Sequence, residues 1–192
     1  MSTNRTTSYL FLYLLIAGIA FLFLPLLGAL TYLFFQSDVG SINFPFWFLG
    51  TSLFIIMISY FAERAKLNFK EGNILFGKAW QFTLLSVFLF FIGQLLSWNS
   101  IWSQDALMTT NNSYAFTYLL SGLHLLHVLA ALPILIWFHY QFKFAKKDEM
   151  KLNVFFADQS KFIKLDQTII YLHFMGVLWF LLLVVFSLMA LI

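Results

Sequence analysis

The stretch from Ser121 to Tyr140, SGLHLLHVLAALPILIWFHY, is apolar enough to cross a membrane, yet it places two histidines three residues apart within its first half. A membrane-spanning helix needs about 20 consecutive, mostly apolar residues, and this stretch reaches that length without an Asp, Glu, Lys or Arg. Ionisable side chains inside a membrane are rare and usually face other helices or a functional site. The stretch therefore predicts a membrane helix whose histidine-bearing face is turned away from lipid.

The rest of the chain has the same character. Of its 192 residues, 61% are hydrophobic and 10% are charged, which is too apolar for a soluble domain of this size. Five segments are long and apolar enough to span a bilayer: about 9–35, 44–62, 79–98, 114–138 and 168–192. We therefore predict an all-α integral membrane bundle of five transmembrane helices, forming a single domain over residues 1–192.

The longest polar stretch, about residues 143–167, is too short to bury a core of its own. Because it mixes aromatic and basic residues, we expect a loop or short helix at the level of the lipid headgroups. A docking surface for a partner subunit is the alternative interpretation.

The basic residues indicate how the bundle is oriented. Arg5 precedes the first span, and the other basic residues lie between spans two and three or between spans four and five. Lys and Arg in short loops stay on the cytoplasmic side, so we place the N-terminus inside and the C-terminus outside, in a bacterial inner membrane. The net charge of +3 then reflects topology, and it does not indicate nucleic-acid binding. The long first apolar run also argues against a cleavable signal peptide.

Composition excludes several kinds of redox or transport site. The chain has no cysteine, which removes iron–sulfur clusters, c-type haem attachment and thiolate-bridged copper centres. All eight acidic residues lie in loops or at the ends of spans. That placement argues against a self-contained proton pump and against a di-iron site, which needs Glu side chains projecting inward from several helices. Any metal chemistry in this chain would have to use histidine.

Polar and small side chains share one face of the fourth span. At 100° per residue, Ser113, Thr117, Ser121, His124 and His127 fall within a stripe of about 120°. In membranes such faces pack against other helices, where small residues allow close approach and polar ones make hydrogen bonds. We therefore expect this stripe to be an interhelical seam.

Haem or copper ligation by these histidines is the less favoured interpretation. Two axial ligands approach a haem from opposite faces, so His124 and His127 on one helix cannot both bind a single haem. His139 and His173 lie near the inner ends of their spans and do not match the depth of His124. A second helix would have to supply the missing ligand.

Other spans carry features of the same kind. In the third span Ser86, Gly93, Gln94 and Ser97 share a face, and Gln94 is a candidate hydrogen-bond partner for the fourth span. Pro25 and Pro133 lie within the first and fourth spans, where proline can kink a helix. Trp47, Trp80, Trp98 and Trp102 fall near predicted interfaces, so they are interpreted as an aromatic belt.

Three segments resemble the signatures of one family. NSYAFTYLLSGLHLLHV, residues 112–128, is similar to the signature of subunit III of haem-copper oxidases, in which Thr-Gly-x-His-x-x-His-Val follows a Phe. GQLLSW (93–98) and YLHFMGVLW (171–179) resemble two further motifs of that family, in the family's order. Ser97, Ser121 and Gly176 stand where the family usually has Glu, Thr and Asp. The chain looks like the short, five-helix form of the subunit.

The resemblance implies a subunit without a redox centre. In this family subunits I and II carry the haems and copper, and subunit III packs beside subunit I, binds phospholipid and helps sustain proton uptake. The chain itself is then expected to bind no metal or cofactor, and its partners are subunits I and II, with a small subunit IV as a further candidate. The residues expected to form its structural interhelical seam are Ser113, Thr117, Ser121, Gly122, His124, His127, Gln94, His173 and Trp179.

Several alternatives stay open. A quinol oxidase subunit or an accessory subunit of a nitric oxide reductase would have nearly the same sequence features as a cytochrome c oxidase subunit. From a different class, the chain could be a small b-type cytochrome anchor that uses His124 or His127 together with a partner histidine. A small transporter would need a discontinuous helix and a central ionic site, for which Pro25 and Gly28 are weak indications.

Overall fold

A computed structural model describes residues 2–36, 47–103 and 112–191, with side chains from 6–36, 47–103 and 114–189. The described chain forms seven α-helices: α1 (Ser2–Gln36), α2 (Trp47–Lys70), α3 (Phe76–Trp102), α4 (Asn112–Ala130), α5 (Leu132–Ala145), α6 (Glu149–Ala157) and α7 (Gln159–Leu191). Within these ranges five segments are long and apolar enough to cross a membrane, namely α1, α2, α3, α4 with α5, and α7. The prediction of an all-α protein with five spans is confirmed.

The helices extend beyond their predicted spans, and α2 and α7 do so the most. The second was expected to end near residue 62, but α2 continues to Lys70 because its inward-facing positions, Ala62, Ala65 and Phe69, remain buried at helical spacing. Likewise α7 begins at Gln159, nine residues before the predicted start at 168, since Leu165 is fully buried. Charged residues on the outer face ended the hydropathy pattern earlier than the helix. The expected start of the second span, with Pro45, lies outside the described residues.

The fourth span is two helices rather than one. α4 ends at Ala130 and α5 begins at Leu132, with Pro133 in its first turn. Proline has no N–H, and its ring clashes with the carbonyl four residues earlier. The regular pattern of helical hydrogen bonds is therefore interrupted here. The Ala131 N–H instead donates to the Val128 carbonyl over a shorter, three-residue step of 3.1 Å. Pro25, by contrast, lies inside α1 without ending it.

The polar stretch between the fourth and fifth spans forms the short helix α6, which covers a cluster of aromatic rings. Phe155 of α6 lies 5.3 Å from Phe69 of α2 and 5.7 Å from both Phe76 of α3 and Phe142 of α5, measured between ring centroids. We call this part of the bundle the basic end. It comprises the turn at residues 71–75 with the adjoining ends of α2 and α3, the end of α5, α6 and the start of α7. Of the two forms expected for this stretch, the short helix is the one present.

A tight turn and an ionic contact also hold the basic end together. Gly72, with a φ of 64°, ends α2 in the left-handed conformation that glycine adopts without strain, so α3 can return antiparallel to α2. Lys66 Nζ of α2 lies 2.7 Å from Asp166 Oδ1 of α7, and the Tyr9 hydroxyl of α1 donates to Asp166 Oδ2 at 2.6 Å. These contacts tie α1, α2 and α7 together next to the aromatic cluster.

The first helix lies at the edge of the bundle. It buries one stripe, formed by Ile19, Phe23, Leu27, Leu30 and Phe34, against α4 and α7. Its other faces expose large apolar side chains. An apolar outer surface of this kind is stable in lipid and would be an aggregation hazard in water, so the packing agrees with a multi-pass membrane protein.

Candidate functional site

Buried polar and aromatic side chains from α3, α4 and α7 meet in one place, which we call the polar seam. It is formed by Gln94 and Trp98 of α3, Ser121 and His124 of α4, and Trp179 of α7. Gln94, Ser121 and His124 are each fully buried. In a membrane such groups are stable when their hydrogen bonds are satisfied within the protein, so the partners of each side chain decide what the seam can do.

His124 connects α4 to α7. Its Nε2 lies 3.0 Å from the backbone carbonyl oxygen of Met175. Because a carbonyl oxygen accepts and never donates, Nε2 carries the proton of the neutral ring and Nδ1 is the unprotonated nitrogen. The ring packs 5.1 Å from Trp179 and 5.7 Å from Phe90 between centroids. The imidazole is therefore held on all sides by protein, with its donor nitrogen already engaged.

Trp179 lies where α2, α3, α4 and α7 meet. It is 1% exposed, and its ring lies 5.3 Å from Phe90 and 5.6 Å from Phe48. Its indole N–H donates to Ser52 Oγ of α2 at 3.0 Å, and that hydroxyl donates in turn to the Phe48 carbonyl at 3.0 Å. One side chain thus contacts three neighbouring helices and satisfies its buried donor.

A third hydrogen bond between helices joins α3 to α4. The Trp98 indole N–H donates to Ser121 Oγ at 3.0 Å, and the Ser121 hydroxyl donates to the Thr117 carbonyl one turn back at 2.6 Å. Ser97, next to Trp98, instead donates to Gly93 on its own helix at 2.8 Å. The serine hydroxyls thus donate within their own helices, and the two indoles and the His124 imidazole supply the donors that cross between helices.

Gln94 does not make the bond to the fourth span that the sequence suggested. Its side-chain nitrogen and oxygen are both buried without a hydrogen-bond partner among the described residues, and so is His124 Nδ1. The expectation that Gln94 pairs with the polar stripe is therefore wrong for this structure, and Trp98, one turn further along α3, takes that role. Spacing placed Gln94 on the correct face but could not fix which side chain reaches across.

His127 lies beside the seam and not in it. Its Nδ1 lies 2.6 Å from the Leu123 carbonyl of its own helix, and its ring packs against Phe23 of α1 at 5.7 Å. The His127 backbone carbonyl accepts a 2.8 Å hydrogen bond from the Tyr171 hydroxyl of α7. The His127 side chain lines a cavity of about 330 Å³ between α1, α4, α5 and α7. The two histidines thus face different neighbours.

The remaining predicted residues lie in different places. His173 Nε2 lies 3.6 Å from Glu63 Oε2 of α2, and its side chain is 41% exposed, so it bridges two helices away from the polar seam. Thr117 is buried on the seam side of α4. A Cβ placed on Gly122 would lie 3.7 Å from Trp98, an ordinary contact, so this position does not require glycine. Ser113 lies outside the described side chains.

The sequence interpretation missed the structural contacts of two tryptophans, Trp80 and Trp98. Trp80, assigned to an interfacial belt, is 1% exposed and donates to the Leu135 carbonyl of α5 at 2.9 Å. That assignment is wrong, because Trp80 packs between Phe76 and Phe138 inside the bundle. Its spacing with buried Phe76 and Thr83 at helical period could have shown that it faces inward.

The seam as a whole is built for holding helices at fixed positions. Within the described residues, no three His, Cys, Asp or Glu side chains gather into a group that could hold a metal ion. Among the described residues, the acidic contact of a histidine is the one between Glu63 and His173, outside the polar seam. A scan of the chain against protein-family models finds no match, and a search of curated proteins finds no similar sequence.

Proposed function

We propose that this chain is subunit III of a respiratory haem-copper terminal oxidase, a structural subunit that packs beside subunit I with its basic end in the cytoplasm of a bacterium. One observation carries the proposal. The three segments that resemble the family, 93–98, 112–128 and 171–179, are far apart in sequence but pack together through Trp98, Ser121, His124, Met175 and Trp179. This convergence at one seam is the feature that supports the assignment.

The histidine environments support a role without a redox centre in this chain. A haem held by two histidines needs two ring nitrogens aimed at a common point from opposite sides. Here His124 Nε2 is engaged by the Met175 carbonyl, whereas the His127 ring packs against Phe23 of α1 and lines a separate cavity, so the two rings are not aimed at a common point. His173 contacts Glu63 towards the basic end. The side chains therefore do not fit an axial pair, and the haems and copper of the proposed complex belong to its partner subunits.

The cavity of about 330 Å³ that His127 lines, which we call the groove beside His127, is suited to the lipid-binding part of this role. Apolar side chains of α1 and α5, among them Leu12, Leu15 and Ile134, form its walls. Lys164 and Gln167 lie where the groove approaches the basic end of the bundle. An acyl chain would lie along the apolar walls, and Lys164 would attract the phosphate of the headgroup. A phospholipid bound in this groove would contact both the edge helix α1 and the helices α4, α5 and α7.

Co-purification tests the assignment directly. An affinity tag on this chain, with extraction from native membranes in mild detergent, should recover partner proteins that carry haem and copper, seen as haem absorbance bands and by metal analysis. A copper-binding subunit II among them would indicate cytochrome c as the electron donor, and its absence a quinol or a nitric oxide reductase relative. If the chain purified alone shows a haem b spectrum that disappears in His124→Ala, the b-type cytochrome alternative replaces the proposal.

A change at His124 separates a packing role from a ligand role. His124→Leu removes one hydrogen bond between α4 and α7, and such bonds in membranes contribute about 0.6–2 kcal/mol. We expect a modest loss of stability in detergent and a lower yield of assembled complex, with unchanged haem content per assembled complex. Asn99→Leu, at an exposed polar residue of α3 outside the polar seam, is the control and should leave assembly unchanged. Loss of haem from fully assembled His124→Leu complex would contradict the packing role.

A further inference from the structure

A cavity of about 480 Å³ at the basic end, between α3 and α5, is lined by three lysines, Lys78, Lys143 and Lys146. Gln81 and His139 supply further polar groups, and no carboxylate is among the described residues that line the cavity. In the described part of the chain none of these three lysines forms an ion pair, whereas Lys66, Lys151 and Lys161 each lie beside an acidic side chain. Three like charges converge here without an internal counter-charge.

Close packing of α3 against α5 brings these lysines together. The Phe142 ring of α5 lies directly on the backbone of α3 at Gly77, where an added Cβ would be 2.9 Å from Phe142 Cδ1. A side chain at that position would force the two helices apart. Gly77 therefore sets the distance across the cavity, with Lys78 as its chain neighbour on one wall and Lys143 next to Phe142 on the other.

The faces of α3 and α5 that run from the cavity towards the middle of the bundle are apolar and exposed. Residues four and seven positions after Lys78 lie on the same face of α3, and these are Phe82 and Leu85, each about half exposed. On α5, Tyr140 and Ile136 lie three and seven positions before Lys143 and are also exposed. A cationic end followed by two apolar stripes is the complement of an amphipathic molecule with an anionic head. A soluble anion would make no use of the stripes.

We propose that this cavity binds the phosphate-bearing headgroup of an anionic phospholipid, whose acyl chains lie along the exposed faces of α3 and α5. Basic pockets between helix ends on the cytoplasmic side are well suited to such headgroups, because lysines near an anionic leaflet each add to the attraction. The site shares no lining residue with the groove beside His127. It requires membrane insertion of the chain and does not depend on the oxidase assignment.

Native mass spectrometry of the full-length chain in mild detergent tests the proposal, with phosphatidylglycerol and phosphatidylcholine as competing probes. The wild-type chain should retain phosphatidylglycerol in preference. Replacing Lys78, Lys143 and Lys146 together with Gln should weaken that retention by about tenfold or more relative to a control in which Lys70, Lys147 and Lys151 become Gln. The control removes the same charge from the same end of the bundle, so it accounts for general surface attraction.

Two further measurements make the result decisive. A triple Lys→Arg variant at 78, 143 and 146 keeps the charge and should keep phosphatidylglycerol bound, which separates loss of the site from loss of the fold. Titration with inorganic phosphate in lipid-free detergent should show no saturable binding. Equal weakening in the two triple Gln variants would overturn the proposal. Saturable phosphate binding that needs the three lysines, with lipid retention unchanged, would also overturn it, in favour of a soluble anion.

Discussion

Trp179→Ala is expected to lower the free energy of unfolding of the chain by on the order of 3 kcal/mol. Trp179 is 1% exposed and its ring contacts Phe48, Phe90 and His124, so its removal opens a cavity among four helices. Lipid tails are as apolar as the protein interior, which means that the loss arises from packing and not from exposure to water. The surrounding rings belong to separate helices, so they cannot move into the space unless those helices also move.

Titration of the purified chain with a denaturing detergent, followed by circular dichroism, measures this loss. Trp179→Phe is the matched control, since it keeps an aromatic ring in the seam and removes the indole N–H that donates to Ser52. Its cost should be about 1 kcal/mol, the usual contribution of a hydrogen bond between membrane helices together with a slightly smaller ring. Equal stability of wild type and Trp179→Ala would show that the polar seam does not hold the helices together.

The number of membrane spans and the inward face of α4 were predictable because both follow from local regularities. Hydropathy over about 20 residues defines a span, and the 100° step of the helix places Ser121 and His124 on one side. Both side chains indeed make hydrogen bonds to neighbouring helices. Information of this kind is contained in a single segment and needs no knowledge of its neighbours.

The predictions that were wrong concern features that depend on more than one segment of the chain. The helix ends at the basic end are set by burial, as Phe69 against α6 and the fully buried Leu165 of α7 show, whereas a hydropathy window responds to the charges on the opposite face. Trp80 was placed in a belt because its sequence position is near a span end, yet Phe76 and Phe138 enclose it. The partner of Ser121 required knowing the rotation and depth of α3, so spacing could not choose Trp98 over Gln94.

Gly93→Leu is expected to be at least as damaging as loss of Trp179, by the opposite mechanism. A Cβ at Gly93 would lie 2.6 Å from Thr51 Cγ2 of α2 and 3.8 Å from Phe54 Cε2. Thr51 cannot move aside easily, because it is fully buried and its hydroxyl donates to the Phe48 carbonyl at 2.8 Å. A leucine must therefore push α2 away from α3, the two helices joined by the tight turn at Gly72.

Overpacking of this kind typically costs about 1–3 kcal/mol for a few added methylenes, so a whole leucine side chain should cost about 3 kcal/mol or more. Gly28→Leu is the matched control, since nothing lies within 4 Å of a Cβ at Gly28 on the exposed face of α1. That variant should be neutral or slightly more stable, because glycine costs about 1 kcal/mol relative to good helix formers inside a helix. The same detergent titration, with size-exclusion chromatography to detect aggregation, compares the two variants. Similar stability of both would show that α2 and α3 do not need the close approach that Gly93 allows.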